Sequence, residues 1–258
     1  MLGTAFVKGS PCWIDLGSPN IRAAASFYGE VFGWTFEDFG PEAGGYGFLK
    51  NHDRSIGAIG GLDEGAMSAW TAYFAAPDVD AVTKDVQSHG GSVRAEPFDV
   101  MDAGRMSQVS DPQGAGFALW QAGSHAGFDT ASQVGELLWV ELHTPDPDAA
   151  FGFYRDLFGW RSQKMDAPGM TYTVVSTSQG DIEDASFGGI APDDQQGPRW
   201  VPYFHVADPD ATAARVQASG GMVLMPAADV PDVGRIAWFA DPAGAVFAVL
   251  KPDPRQGS

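Results

Sequence analysis

Trp13-Ile14-Asp15-Leu16, then Phe27-Tyr28, then Phe32-Gly33-Trp34, recurs 126 residues later as Trp139-Val140-Glu141-Leu142, Phe153-Tyr154 and Phe158-Gly159-Trp160. Further on, Trp70-Thr71-Ala72-Tyr73-Phe74 returns as Trp200-Val201-Pro202-Tyr203-Phe204, and Gly104-Arg105 as Gly234-Arg235. Asp111-Pro112-Gln113-Gly114 returns as Asp241-Pro242-Ala243-Gly244. A self-similarity this long sets the architecture: one design used twice, each copy readable against the other. With 258 residues in all, each copy has enough chain for its own core.

Inside each copy a strand, a helix and three strands occur twice. Alternation over 12–17 predicts a strand. Pro19-Asn20 then opens a helix over Ile21–Phe32, with Ile21, Ala24, Ala25, Tyr28 and Phe32 on one face. Gly33 follows as a natural left-handed C-terminal residue. Short strands are expected near 35–39, 46–50 and 55–62. The unit restarts with a strand at 70–75, a helix from the Asp78 cap to about Ser88, and strands near 92–98, 105–110 and 116–120. The second copy predicts a strand at 139–143 and a helix at 147–158 behind Asp146 and Pro147. Strands near 161–166, 171–177 and 186–190 follow, then a strand at 200–206, a helix at 209–218, and strands near 222–228, 235–240 and 245–250. Gln121–Gly135, rich in Gly, Ser and Ala, reads as a linker. The expected fold is α+β, four βαβββ modules in two tandem domains at 9–122 and 136–252.

A net charge of −18 argues against a nucleic-acid groove or an anionic membrane surface, which need clustered Lys and Arg. It suits either solubility or a cationic ligand. Charged residues are only 19% of the chain, while aromatics reach 12% with eight Trp. Most of these rings belong in cores, and the rest suit an apolar ligand pocket. Cys12 is the one cysteine, so no internal disulfide or cysteine-based zinc site can form. Its place in an apolar run predicts a buried, inert thiol. The N-terminus does not have a signal-peptide pattern and no apolar run reaches a bilayer span, so a cytoplasmic protein is expected.

Four tandem βαβββ units, with Phe-Tyr and Phe-Gly-Trp closing the first helix of each copy and Asp-Pro-x-Gly before each last strand, resemble the vicinal oxygen chelate superfamily. Glyoxalase I, bleomycin-resistance proteins, fosfomycin-resistance enzymes and extradiol dioxygenases belong to it. The likeness runs over about residues 9–252 and is closest to two-domain glyoxalase-like proteins of actinobacteria, often labelled hydroxylases. It implies that paired modules form cup-shaped mixed sheets. It also implies metal ligands on the first, fifth and eighth strands of a cup. The corresponding residues here are Trp13 and Trp139, Thr71 and Val201, and Ala118 and Ala248. None is an ordinary ligand for a divalent metal. No metal or other cofactor is therefore expected.

Residues two apart share a strand face. Trp13 should face inward with Asp15, and Trp139 with Glu141 and His143. On the fifth strands Tyr73, and Tyr203 with His205, should do the same. Only the second copy carries histidines at these places. An imidazole beside a carboxylate in an apolar cup can act as acid and base near neutral pH, with Tyr203 donating to a developing oxyanion. The candidate catalytic set is therefore His205, His143, Glu141 and Tyr203. Structural roles are the alternative, with each histidine held by backbone or by Glu141. Trp13, Asp15, Tyr73, Trp139, Arg105 and Arg235 are candidate ligand-binding residues. The matched arginines are also candidate partners for the inward carboxylates, as clamp or as buried ion pair. A Glu141, His143 and His205 metal site off the usual positions is a further alternative.

Two functions fit. One is a metal-independent acid–base enzyme acting on an apolar, aromatic small molecule: isomerisation, cyclisation, dehydration or hydrolysis. The other is a sequestering protein of bleomycin-resistance type, which the charge favours for a cationic ligand. The expected assembly is a monomer with an internal pseudo-dimer, or a homodimer.

Overall fold

The computed structural model describes residues 2–62, 66–167 and 169–254. The first copy runs β1 (Pro11–Ser18), α1 (Ile21–Phe32), β2 (Thr35–Asp38), β3 (Gly47–Asn51) and β4 (Arg54–Gly61). It then repeats as β5 (Ala69–Ala75), α2 (Val79–Ser88), β6 (Ser92–Val100), β7 (Gly104–Ser110) and β8 (Gly116–Ala122). The second copy follows the same order: β9 (Leu137–Thr144), α3 (Pro147–Phe158), β10 (Arg161–Ala167), β11 (Met170–Ser176) and β12 (Ser186–Pro192). Its last module is β13 (Arg199–His205), α4 (Pro209–Ala218), β14 (Met222–Val230), β15 (Gly234–Ala240) and β16 (Val246–Pro252).

Each helix starts where an Asn or Asp side chain accepts from amides of the first turn. Asn20, Asp78 and Asp146 cap Ala23, Ala81 and Ala149, and Asp208 caps Asp210 and Ala211. Such a cap contributes about 1 kcal/mol. Because the signal is local, the helices at 21–32, 147–158 and 209–218 lie where the sequence puts them.

The strands form two open eight-stranded sheets, ordered β2-β3-β4-β1-β5-β8-β7-β6 and β10-β11-β12-β9-β13-β16-β15-β14. Both are mixed: β1 with β4, β5 with β8, β9 with β12 and β13 with β16 run parallel, and the hairpins antiparallel. Each sheet thus draws all its strands from one copy. No helix of the described residues is long and apolar enough to cross a membrane.

The compact units are drawn differently. One comprises Met1–Trp13, Thr71–Phe128 and Trp139–Val201, and the other Ile14–Trp70, Asp129–Leu138 and Pro202–Ser258. Each therefore takes a module from both copies. In the first unit, the Tyr154 hydroxyl of α3 donates to Asp111 Oδ2 at 3.2 Å and accepts from Trp200 Nε1 at 3.1 Å. In the second, Tyr28 of α1 does the same with Asp241 at 3.3 Å and Trp70 at 3.0 Å. The Phe-Tyr motif of one copy is thereby tied to the Asp-Pro turn of the other. Phe-Gly-Trp behaves alike: Trp160 Nε1 donates to Gly9 O at 2.8 Å, and Trp34 Nε1 to Gly135 O at 2.7 Å. The repeated aromatics are mostly core. Tyr154, Phe158 and Trp160 stack in one unit and Tyr28, Phe32 and Trp34 in the other.

Asp111 and Asp241 are buried, and their Oδ1 atoms accept amide bonds from their own turns. Burial raises both carboxyls above the ordinary aspartate value, although those bonds work the other way. A raised value means the fold favours the neutral acid. That contribution is complete below the unfolded value of about 3.9 and is lost as pH rises through the raised one. In Asp111→Asn with Asp241→Asn, the Oδ1 acceptors remain but the titration does not. Urea midpoints followed across that window should fall less with rising pH in this variant than in the wild type. Identical pH slopes would show that these carboxyls ionise normally.

Candidate functional site

Strand β9 supplies the centre of the site. Val140, Leu142 and Thr144 are fully buried along one face, and Trp139, Glu141 and His143 occupy the other. His143 Nε2 and Glu141 Oε1 are 2.7 Å apart, so the ring donates to the carboxylate. Tyr172 on β11 donates to Glu141 Oε2 at 2.6 Å and accepts from Trp139 Nε1 at 2.9 Å. On the far side of the imidazole, Nδ1 lies 3.8 Å from Asp193 Oδ2, which Arg199 Nη1 holds at 3.0 Å. The result is a continuous polar row: indole, phenol, carboxylate, imidazole, carboxylate and guanidinium. It lies within one compact unit.

Tyr172, Asp193 and Arg199 were not anticipated from sequence. A signal for the first existed: Tyr172 stands 126 residues after Tyr46, the same shift as Trp13 to Trp139. Its reach across the sheet depends on Gly189, which lies opposite Glu141 in the β12–β9 register. A Cβ on Gly189 would collide with the Tyr172 hydroxyl and ring. The first copy has Ala58 opposite Asp15 instead. Asp193 follows β12, where residues 193–198 carry no regular structure to predict from.

The electrostatics keep Tyr172 and Asp193 in defined states. Burial, then the charge of Glu141, raises the Tyr172 phenol well above its ordinary value, so it remains a neutral donor. At Asp193 burial works against ionisation, but the Gln195 and Gln196 amides and Arg199 outweigh it and hold the acid below its ordinary value. A carboxylate therefore faces each side of His143. With Nε2 turned to Glu141, Nδ1 is the ring nitrogen that faces Asp193.

The other candidates stand as follows. His205 and Tyr203 belong to the second unit. His205 Nδ1 is 2.9 Å from Ser132 O, and the residue lines a groove of about 150 Å³ with Phe32, Asp208 and Arg215. Tyr203 is buried and packs edge-on against Trp238. Tyr73 is buried, and its carbonyl accepts from Cys12 Sγ at 3.5 Å. Burial holds that thiol protonated, as its apolar surroundings predict. Trp13 is 4% exposed, whereas Trp139 is half-buried.

Arg105 and Arg235 spend their donors on surface aspartates. Arg105 grips Asp80 at 2.7 and 3.0 Å and Asp99 at 2.9 Å. Arg235 grips Asp210 at 2.6 and 3.0 Å and Asp229 at 2.9 Å. The hairpin register sets each arginine directly opposite one of these acids, so the nearer charge wins over Asp15 or Glu141. Exposed pairs of this kind contribute little to stability.

The residues at the metal positions that the resemblance implies do not fit a divalent ion. Two indoles, a hydroxyl and alkyl side chains offer no imidazole, carboxylate or thiolate. Among the described residues, no group of three or more His, Cys, Asp or Glu side chains is placed to hold a metal.

The model of the Glyoxalase/Bleomycin resistance protein/Dioxygenase superfamily matches residues 12–119 and again 136–249. "Putative glyoxylase CFP32" of Mycobacterium bovis is 41% identical, over 96% of this chain and 97% of that protein. "Anthracycline biosynthesis protein DauV" of Streptomyces sp. strain C5 is 38% identical, over 96% of this chain and 95% of its own. Among solved structures, the 2,3-dioxygenase LapB from Pseudomonas sp. KL28 superposes with a TM-score of 0.68 at 15% identity, over 98% and 97% of the two chains. A Mn(II)-bound glyoxalase from Novosphingobium aromaticivorans gives 0.63 at 17% identity, over 99% and 87%. At such identities the structures share the fold alone.

Proposed function

The chain belongs to the Glyoxalase/Bleomycin resistance protein/Dioxygenase superfamily, and from that premise we propose that it is a metal-independent acid–base enzyme acting on an aromatic small molecule. The observation that carries this is the row through Trp139, Tyr172, Glu141, His143 and Asp193. His143 Nδ1 moves the proton while Glu141 and Asp193 stabilise the imidazolium. Tyr172, kept neutral, donates to Glu141 and holds that carboxylate in place beside the imidazole. Isomerisation, cyclisation and dehydration each run on this proton transfer, and hydrolysis on the same transfer with a solvent water as the nucleophile. The relative named for anthracycline biosynthesis supports a fused-ring substrate. The donor set at the usual metal positions supports chemistry without an ion there.

The −18 charge favours a second reading, sequestration of a cationic drug or metabolite without reaction. Native mass spectrometry of the protein as purified, joined to elemental analysis, tests the proposal. One aromatic molecule per chain and no stoichiometric transition metal is the expected result. A stoichiometric metal overturns metal independence, and a bound aliphatic ligand overturns the substrate class.

A further inference from the structure

We infer that the segment from Gly123 to Phe128 is a built-in occupant of the first copy's ligand face, leaving one site per chain for a flat aromatic molecule, on Trp139. The inference rests on the aromatic ligand proposed above and adds where that ligand binds and where it is shut out. Trp13 and Trp139 hold the same place in the repeat, 126 residues apart, and lie in the same compact unit. Their surroundings differ. His125 meets the Trp13 ring edge-on at 4.6 Å, and Phe128 stacks on it at 5.8 Å with 29° between planes. Among the described residues, no aromatic ring packs against Trp139, whose only polar partner is the Tyr172 hydroxyl.

The covering segment is fastened down. Gly123 N and His125 N donate to Ala103 O at 2.8 and 3.0 Å, and His125 O accepts from Trp120 Nε1 at 3.0 Å. Phe128 N donates to Cys12 O at 2.9 Å, beside Trp13 itself. Gly127 makes this approach possible: its φ is +143°, and a Cβ there would run into the Cys12 carbonyl. What composition presents as a linker is a shaped plug.

An indole face offered at this point of the strand is best covered by other rings, edge-on or offset. In the first copy the chain supplies them at the roughly millimolar effective concentration of a short tether. A free ligand at lower concentration loses that competition. In the second copy a free ligand supplies the ring.

The test is a count of 1,8-dihydroxyanthraquinone bound per chain, by equilibrium dialysis. Wild type should bind one, and Trp139→Ala should weaken that site at least about tenfold. His125→Ala with Phe128→Ala should bind two, and adding Trp13→Ala should return the count to one. Should the double variant fail to melt cooperatively, Phe128→Leu replaces it, keeping bulk but not the ring, with a weaker second site expected. An unplugged variant that keeps the wild-type count overturns the inference. A wild type that binds none, with one site appearing on unplugging, upholds the plug and instead sinks the aromatic ligand proposed for the second copy.

Discussion

Trp160→Ala should destabilise the protein by about 3–5 kcal/mol, the range for truncating a large buried aromatic. Trp160 is 1% exposed, stacked on Tyr154 at 4.9 Å and met edge-on by Phe187 at 5.0 Å and Phe74 at 5.3 Å. Truncation opens a cavity inside that cluster and strands the Gly9 carbonyl, which accepts from the indole at 2.8 Å. A lost bond of this kind adds about 1 kcal/mol. Against a total stability of about 5–15 kcal/mol, this is a large fraction. Trp160→Phe keeps most of the ring but not the N–H, and should lose less. Urea unfolding followed by far-UV circular dichroism reads both. If alanine and phenylalanine cost the same, the N–H bond and not the packing holds the motif in place.

That ranking explains why the repeat was so visible. Phe-Tyr, Phe-Gly-Trp and the Asp-Pro turns are large or conformationally special residues that bind one copy's helix to the other copy's turn. Helix limits were equally legible, since caps at Asn20 and Asp146 act within one turn of chain. The pairing of modules was not: nothing local to Tyr154 says that its acceptor is Asp111, 43 residues earlier. Sheet order follows one copy while the compact units mix both, and periodicity carries no information about that exchange.

The site was half legible. Alternation put Trp139, Glu141 and His143 on one face, and the structure has them there. Tyr172 escaped because β11 offered one tyrosine among Thr and Val, with its role decided by the space above Gly189 on the next strand. Arg105 and Arg235 looked important because they match between copies. What matches is the hairpin pair Asp99 with Arg105 and Asp229 with Arg235, a short-range feature of the surface. Identity between copies marks a shared structural need as readily as a shared chemistry. Difference is the better guide: His143 stands where the first copy has Gly17, and Glu141 where it has Asp15.

Glu141→Gln should lower turnover of the compound recovered from the purified protein by about 10²–10⁴-fold, the usual contribution of a positioned acid–base group. The amide keeps the length and one acceptor oxygen, so the strand and its packing persist. It removes the charge that the His143 N–H at 2.7 Å and the Tyr172 O–H at 2.6 Å both address. The imidazolium formed when Nδ1 takes a proton then loses its nearer counter-charge, leaving Asp193 at 3.8 Å. Binding of the ground state, carried by the Trp139 ring, should change by less than about threefold, because the lost interaction grows only as charge develops. Kd and turnover measured side by side separate the two proposed functions. A collapse in turnover with Kd preserved is catalysis by this row. A protein with no turnover to lose, in which the same substitution weakens Kd, is a sequestering one, with Glu141 serving as part of its ligand clamp.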